Sequence, residues 1–331
     1  MTKKYDMHCH TKYSDGKLDI EELVPLAEKK GLRGFCVTDH DTLDGSKMAR
    51  SLSTNKVEVI PGVELSCKLR NYMVEILGYF VDPSNEKLLE CCRINQEFRS
   101  ARMGNMIYEI NKEYNKELRE KYREKGFDKQ PYFIQSQERE DKTSKPYLVR
   151  PELTLDEVIA IANNNSIGLN HINQALVNRG LFKGREAFME CLEKNTPRSC
   201  YIEREAVKID HGIDSILDAG GVVSIPHPAL VPMDYPDLTD ETFIEMIKDF
   251  LGKKIKAIEV FYPYGKVRPE CRDRLANKEK YYAKFARTYG LLPMGGSDGH
   301  QKHGGPSIGE RKTFSRTIEQ IRKLAHPVMR V

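Results

Sequence analysis

The sequence predicts an α/β domain built on a parallel sheet and interrupted by a helical insertion. Three observations carry this. Short apolar runs alternate with amphipathic helical stretches at both ends of the chain, the pattern of strands joined by crossover helices. The alternation fails from about Lys87 to Arg198, where helical periodicity with charges of both signs takes over. Histidines and carboxylates recur at the ends of the apolar runs instead of being scattered.

Each element has a local reason. "KKYDMH" is a strand that leads into "HCHTKYSDG". "LDIEELVPLAEKKG" follows as a helix: Asp19 caps its start, Glu22 stands three residues on as in a capping box, and Gly31 ends it. "GFCVTDHD" is a buried strand with a polar end, and "VEVIPGVELSC" and "YMVEILGYFVD" are two more strands. In the middle, "EKLLECCRINQEFRSARMGNMIYEINKEYNKELREKY" is helical. "GFDKQPYFIQSQEREDKTSKPYLVRPE" is a polar, weakly patterned loop, and "TLDEVIAIANNN", "NHINQALVNRG" and "GREAFMECLEKN" are three further helices. The alternation then resumes with strand "GGVVSIPHP", helix "TDETFIEMIKDFLGKK", strand "IKAIEVFYP", a mostly helical "RPECRDRLANKEKYYAKFARTYG", strand "LLPMGGSDGH" and closing helix "TIEQIRKLAHP".

Composition narrows the class. At roughly 100–200 residues per domain, 331 residues make two units or one large barrel with an insertion, and 39% hydrophobic residues suffice for a core. No apolar run approaches the ~20 residues that cross a bilayer, and "MTKKYDMHCH" lacks the apolar core of a signal peptide. The eight cysteines include no C-x-x-C pair, which removes a zinc ribbon and fits the reduced thiols of a cytoplasmic chain. A net charge of +4 describes a mixed, soluble surface with only a slight bias toward anionic ligands.

The polar strand ends point to chemistry. His8 and His10 end the first strand; residues two apart face the same way, so both can ligate one ion while Cys9 points elsewhere. Asp15 lies in the loop that follows. Asp39, His40 and Asp41 end the second strand, Glu64 the third, His227 a later one, and Asp298 and His300 the last. The carboxyl ends of parallel barrel strands share one face, so these residues converge. Taken singly, each has an ordinary reading: a surface H-x-H, a capped turn at "TDHD", a solvated Glu64. Taken together and in order, they define a metal centre.

With these residues assembled, the chain resembles the PHP (polymerase and histidinol phosphatase) family of metal-dependent phosphoesterases. The resemblance rests on "HCHTKYSDG", "VTDHDT", "PGVELS", "ILGYFVD", "GGVVSIPHP", "AIEVFYP" and "GGSDGH", and in the middle on "NHINQALVNRGLFKGREAFMECL". It implies a distorted (βα)7 barrel made of residues 1–86 and 199–331, with 87–198 as an inserted helical domain. It implies two or three divalent ions: the first on His8, His10, Glu64 and Asp298, the second shared by Glu64 and His227, the third on Asp15, His40 and His300. The branch with such an insertion includes enzymes that dephosphorylate nucleoside 3',5'-bisphosphates and trim short RNA. Three positions depart from it. Glu75 stands where relatives often have a histidine ligand of the second ion, Leu169 stands where they often have arginine, and "ALVPMD" lacks an arginine after "HP". Glu75 is expected to serve as a ligand in place of that histidine.

The chemistry follows from these residues. Divalent ions can lower the pKa of bound water to about 7 and offset phosphoryl charge. Mixed imidazole and carboxylate donors favour manganese, with iron, zinc or magnesium as other candidates. The expected reaction is in-line attack on phosphorus by a hydroxide bridging the ions, which places Glu64 at the catalytic centre. His171 and His303 are the candidates to protonate the leaving group, histidine having a pKa near ~6.5. Arg99 and Arg102, three apart on one helix, are candidates to clamp a second phosphate, with His171, Lys302 and Tyr262 as further substrate contacts and Tyr264 beside them. The expected substrate is a small nucleotide or phosphosugar, first a nucleoside 3',5'-bisphosphate. The alternatives are a 5'-3' exonuclease on short RNA, a cyclic-phosphate phosphodiesterase, and a non-catalytic metal-binding module. No membrane and no obligate protein partner is expected.

Overall fold

The structure is a computed structural model that describes residues 4–124, 153–162, 167–180, 184–192, 199–302 and 304–325. His303 and the polar stretch 125–152 lie outside the described residues. The strands are β1 Lys4–Cys9, β2 Gly34–Val37, β3 Glu58–Leu69, β4 Tyr72–Tyr79, β5 Val207–Lys208, β6 Val222–Ile225, β7 Ile255–Phe261, β8 Leu292–Gly295 and β9 Thr313–Phe314. Helices α1 Ile20–Lys29, α2 Asp44–Leu52 and α3 Glu86–Glu124 belong to the first part of the chain. Then come α4 Leu155–Ala162, α5 Leu169–Asn178, α6 Arg185–Cys191, α7 Ile209–Asp218, α8 Val231–Asp234 and α9 Asp240–Ile247. The last are α10 Tyr264–Val267, α11 Arg272–Leu275, α12 Lys278–Thr288 and α13 Ser315–Leu324.

The strands form one sheet in the order β8-β7-β6-β4-β3-β2-β1-β9, with the short β5 beside β3. β1, β2 and β3 pair in parallel, as do β6, β7 and β8. Beyond β8 the chain returns to β1, where His10 N–H donates to the Gly299 carbonyl at 3.2 Å and Gly299 N–H to that of His8 at 3.3 Å. These bonds nearly close the sheet into a barrel, the α/β architecture expected of this sequence. β4 departs from the parallel scheme: it runs antiparallel to both β3 and β6. The cause is length. Only Arg70 and Asn71 separate β3 from β4, with Arg70 at φ +56°, and two residues can close a hairpin but cannot make a crossover.

The helices form where capping and apolar spacing agree. At the start of α1 the Glu22 carboxylate accepts the Asp19 N–H at 2.9 Å, and Ile20, Leu23 and Ala27 fall on its buried face. Inside the barrel, Met7, Cys36, Ile60, Leu77 and Tyr79 pack together. A larger cluster around Leu65, Ile76, Ile213, Ile216 and Ile258 fills the space under α7.

The chain separates into two compact units. One contains residues through Arg99 and from Arg204 onward; the other contains Ser100–Asn163 and Ile167–Glu203. The division falls within α3. Its first turns belong to the barrel unit: Cys91 and Cys92 are buried in the barrel's core cluster, and Asn95 donates to Asp41 at 2.8 Å. The helical unit has its own core, in which Met103, Met106, Ile107, Ile172, Leu176 and Phe188 meet. No helix among the described residues is long and apolar enough to cross a membrane.

Candidate metal centre

Six strands and their following loops deliver donors to one end of the barrel. His8 is on β1 and His10 just beyond it; His40 follows β2, Glu64 and Glu75 face each other's strands on β3 and β4, His227 follows β6, and Asp298 and His300 follow β8. The loops are held in place by buried polar bonds. Asp39 accepts Thr11 N–H at 2.7 Å, Thr11 Oγ1 at 2.6 Å and Ser14 Oγ at 2.7 Å, which fixes the loop carrying Asp15. Asp41, at φ +52°, accepts Ser66 N–H and Oγ at 2.8 Å each, Asn95 Nδ2 at 2.8 Å and an Arg99 guanidinium nitrogen at 2.7 Å. These bonds anchor the turn after His40 in a backbone conformation that a non-glycine residue seldom adopts.

At the centre, Nε2 of His8 and Nε2 of His10 lie 3.1 Å apart. Glu64 Oε2 is 3.2 Å from each, and Asp298 Oδ1 is 3.5 Å from the first and 3.0 Å from the second. Donors bound tetrahedrally at ~2.0–2.1 Å stand roughly 3.3 Å apart, so these four atoms fit one ion. The other Glu64 oxygen, Oε1, is 3.0 Å from His227 Nε2, which is 3.5 Å from Glu75 Oε2. His40 Nδ1 lies 3.1 Å from Glu64 and 3.8 Å from Glu75. On the opposite side Asp15 Oδ1 is 2.9 Å from His300 Nε2 and 3.9 Å from both His40 and His10. Every ligand expected from the sequence is therefore in one cluster, in overlapping groups that share His8, His10, His40 and Glu64.

Several polar atoms in this cluster are close to others but not paired. Glu64 Oε2, Asp15 Oδ1, His10 Nδ1, His40 Nδ1 and His227 Nδ1 are buried with no hydrogen-bond partner. The neighbours of the first four stand 2.9–3.9 Å away without forming hydrogen bonds, as lone pairs do when they converge on a common point. Burying such groups unpaired is costly, so the donor set fits divalent ions. Its electrostatics agree. Burial alone lowers a histidine's pKa, but Asp298 and Glu64 overcome it and bring His10 to about 10. Burial is likewise outweighed at His227, where Glu64 and Glu75 raise the pKa to about 9. Burial pushes Glu64 and Asp298 upward, yet the surrounding imidazoles hold both well below the usual carboxylate range. His40 is lowered, burial dominating.

The other expected residues have varied surroundings. Arg99 bonds to Asp41 as described, while its Nε is buried without a partner. Arg102 falls in the helical unit, where Nε donates to the Ile202 carbonyl at 2.8 Å and the guanidinium lies over Tyr201. The two arginines, although three apart on α3, thus have separate partners. His171 is also in the helical unit, its Nδ1 accepting the Gly168 N–H at 3.1 Å at the start of α5. Lys302 pairs with Asp15 Oδ2 at 2.9 Å. Tyr262 is fully buried and donates its hydroxyl to Asp298 Oδ2 at 2.6 Å, so it orients a donor and has no open face for stacking on a base. Tyr264 is buried beside it. Arg204, which the sequence did not single out, lies 3.6 Å from Glu75 and donates to Ser66 Oγ at 2.5 Å.

A barrel whose strand ends converge on acidic and imidazole donors suits a metal-dependent hydrolase. The comparisons agree: the PHP domain model matches residues 6–205, and the chain belongs to that family. It is 26% identical to a 5'-3' exoribonuclease of Haemophilus influenzae over 94% of each chain. It is 24% identical to the 3',5'-nucleoside bisphosphate phosphatase of Chromobacterium violaceum, covering 98% of this chain and 95% of that one. A solved structure from Bifidobacterium adolescentis, described as a metal-dependent phosphoesterase, superposes with a TM-score of 0.68 at 26% identity, over 99% of this chain and 98% of the other.

Proposed function

We propose that the chain hydrolyses a phosphate ester of a small nucleotide, with a nucleoside 3',5'-bisphosphate as preferred substrate and manganese as the preferred metal. The observation that carries the reading is Glu64: one buried carboxylate sends Oε2 to the His8, His10 and Asp298 group and Oε1 to the His227 group. That arrangement suits a pair of ions side by side, with a third on Asp15, His40 and His300. Bound there, divalent ions would supply activated water and charge neutralisation at phosphorus.

The chain's own residues supply the rest. His8, His10, Glu64 and Asp298 fix one donor set, and Tyr262 keeps the Asp298 carboxylate turned so that Oδ1 faces it. Glu75 completes the donors around His227 and His40. A second substrate phosphate would meet Arg99 and Arg204, whose partners Asp41 and Ser66 are bonded to each other. Planar guanidinium groups suit phosphate oxygens. His171 and His303 remain the candidates to protonate the leaving oxygen.

The likeness to an exoribonuclease along the full chain supports a second reading, removal of nucleotides from short RNA at the same centre. One experiment separates them. Phosphate and nucleotide release is followed with added manganese on nucleoside bisphosphates, monophosphates, cyclic phosphates and short oligoribonucleotides. The bisphosphate should give the highest kcat/KM. Turnover of oligonucleotides alone would favour the second reading, and turnover of none would leave a non-catalytic module.

A further inference from the structure

Glu259 is a fully buried carboxylate in the middle of the apolar strand β7, outside the donor set described above. Its Oε2 accepts the backbone N–H of His227 at 2.9 Å and lies 3.4 Å from Nδ1 of His8. The opposite ring nitrogen of His8, Nε2, is the one that faces His10, Glu64 and Asp298. A neutral imidazole carries one N–H, and an ionised carboxylate can only accept. The position of Glu259 therefore selects the form of His8 with hydrogen on Nδ1 and a free lone pair on Nε2. The same oxygen holds His227 at φ +28°, a backbone conformation disfavoured for histidine.

Two further observations show that the site is built for this contact. A Cβ at Gly296 would stand 2.3 Å from the Cβ of His8 and 2.4 Å from Glu259 Oε1, so only glycine lets the pair lie side by side. Glu259 Oε1 itself is buried with no hydrogen-bond partner, a cost that a purely structural residue at this position would avoid.

We propose that Glu259 is a positioning residue for the metal centre: through one oxygen it fixes the ligating tautomer of His8 and the backbone of His227, thereby setting one ligand for each of two neighbouring ions. The inference rests on the metal reading given above. Carboxylates that hold the far nitrogen of a ligating histidine typically account for about 10–100-fold in metal affinity. Glu259→Gln is the informative variant: it keeps the size of the side chain, but its uncharged amide accepts more weakly than a carboxylate and brings an N–H group that can stand where Oε2 accepts, so the hold on the His8 tautomer and on His227 is loosened.

The test has two parts. In zinc-loaded wild-type protein labelled with 15N-histidine, the His8 correlations should show hydrogen on Nδ1 and the metal on Nε2. Manganese titration followed by electron paramagnetic resonance should show roughly 10–100-fold weaker binding in Glu259→Gln, with melting temperature and far-ultraviolet dichroism of the metal-free protein unchanged. Metal on Nδ1 of His8, or wild-type manganese affinity in Glu259→Gln, overturns the proposal while leaving the metal centre intact. Failure of the wild-type protein to take up zinc or manganese overturns the metal reading, and this one with it. The wild-type spectrum is decisive even if the variant does not fold.

Discussion

Loading the centre with metal should expel protons, and the number follows from the histidines. Near pH ~7.5 the metal-free protein carries a proton on His10, whose pKa is about 10, and on His227, at about 9. His8 is also raised well above the ordinary histidine value, the attraction of Glu64, Glu259 and Asp298 outweighing burial. A ligating nitrogen must be unprotonated, so saturation with manganese should release about two to three protons per chain. At ~1.4 kcal/mol per pH unit, removing the His10 proton near pH ~7.5 costs roughly 3 kcal/mol of binding energy. The sign is fixed. Both folded pKa values lie above the unfolded value of ~6.5, so their contribution to metal-free stability is complete below that pH and is lost as pH rises through about 9 and then about 10. Metal affinity moves the other way and should climb across the same window. Calorimetric titration with manganese in two buffers of different ionisation enthalpy counts the protons directly. Release of fewer than one proton, or an affinity flat between pH ~6.5 and ~9, would refute the reasoning.

Asp298→Asn, and separately His10→Ala, should abolish phosphate release and remove about one ion per chain while the fold survives, since each takes a donor from the first group; metal analysis beside circular dichroism checks this. Glu75→Ala should also lower metal content by about one ion per chain, because its carboxylate is one of the donors around His40 and His227. Unchanged metal content with unchanged turnover would mean that Glu75 serves Arg204 alone. Replacing Ser100–Glu203 with a short linker should keep the bonds of Asn95 and Arg99 to Asp41, and therefore the metal, while lowering turnover of a bisphosphate at least about tenfold more than that of a small aryl phosphate. Equal losses on both substrates would make the helical unit a structural appendage.

Most of the candidate metal donors were legible in the sequence because one rule governs them. A parallel strand delivers its last residues to a common face, and a polar residue closing an apolar run is conspicuous. His8, His10, His227 and Asp298 each close such a run; Glu64, expected at a strand end, lies within β3, which continues to Leu69, and the structure gathers all five. The direction of β4 was less legible, because apolar content marks a strand but not its sense; the information lay in the shortness of "RN" between β3 and β4. The edge of the helical unit was hidden for a different reason. α3 is continuous across Arg99 and Ser100, so periodicity shows no break where packing changes from one core to the other.

The supporting residues were hardest to read, since their roles depend on which atom faces which neighbour. Tyr262 looked like a substrate contact by position and proves to be a buried donor to Asp298. Arg204 lies in "IEREAV", where charge is unremarkable, and only the fold brings it to Glu75. Glu259 did leave a signal. In "IKAIEVF" a lone carboxylate interrupts the apolar run of a strand that the pattern itself marks as buried, and a buried charge needs a partner. The structure supplies the partners: the His8 ring and the backbone N–H of His227. What the sequence could show was the buried carboxylate and its need for a partner; that its partners are two residues of the donor cluster follows only from the fold, which sets β7 behind His8 and the turn at His227.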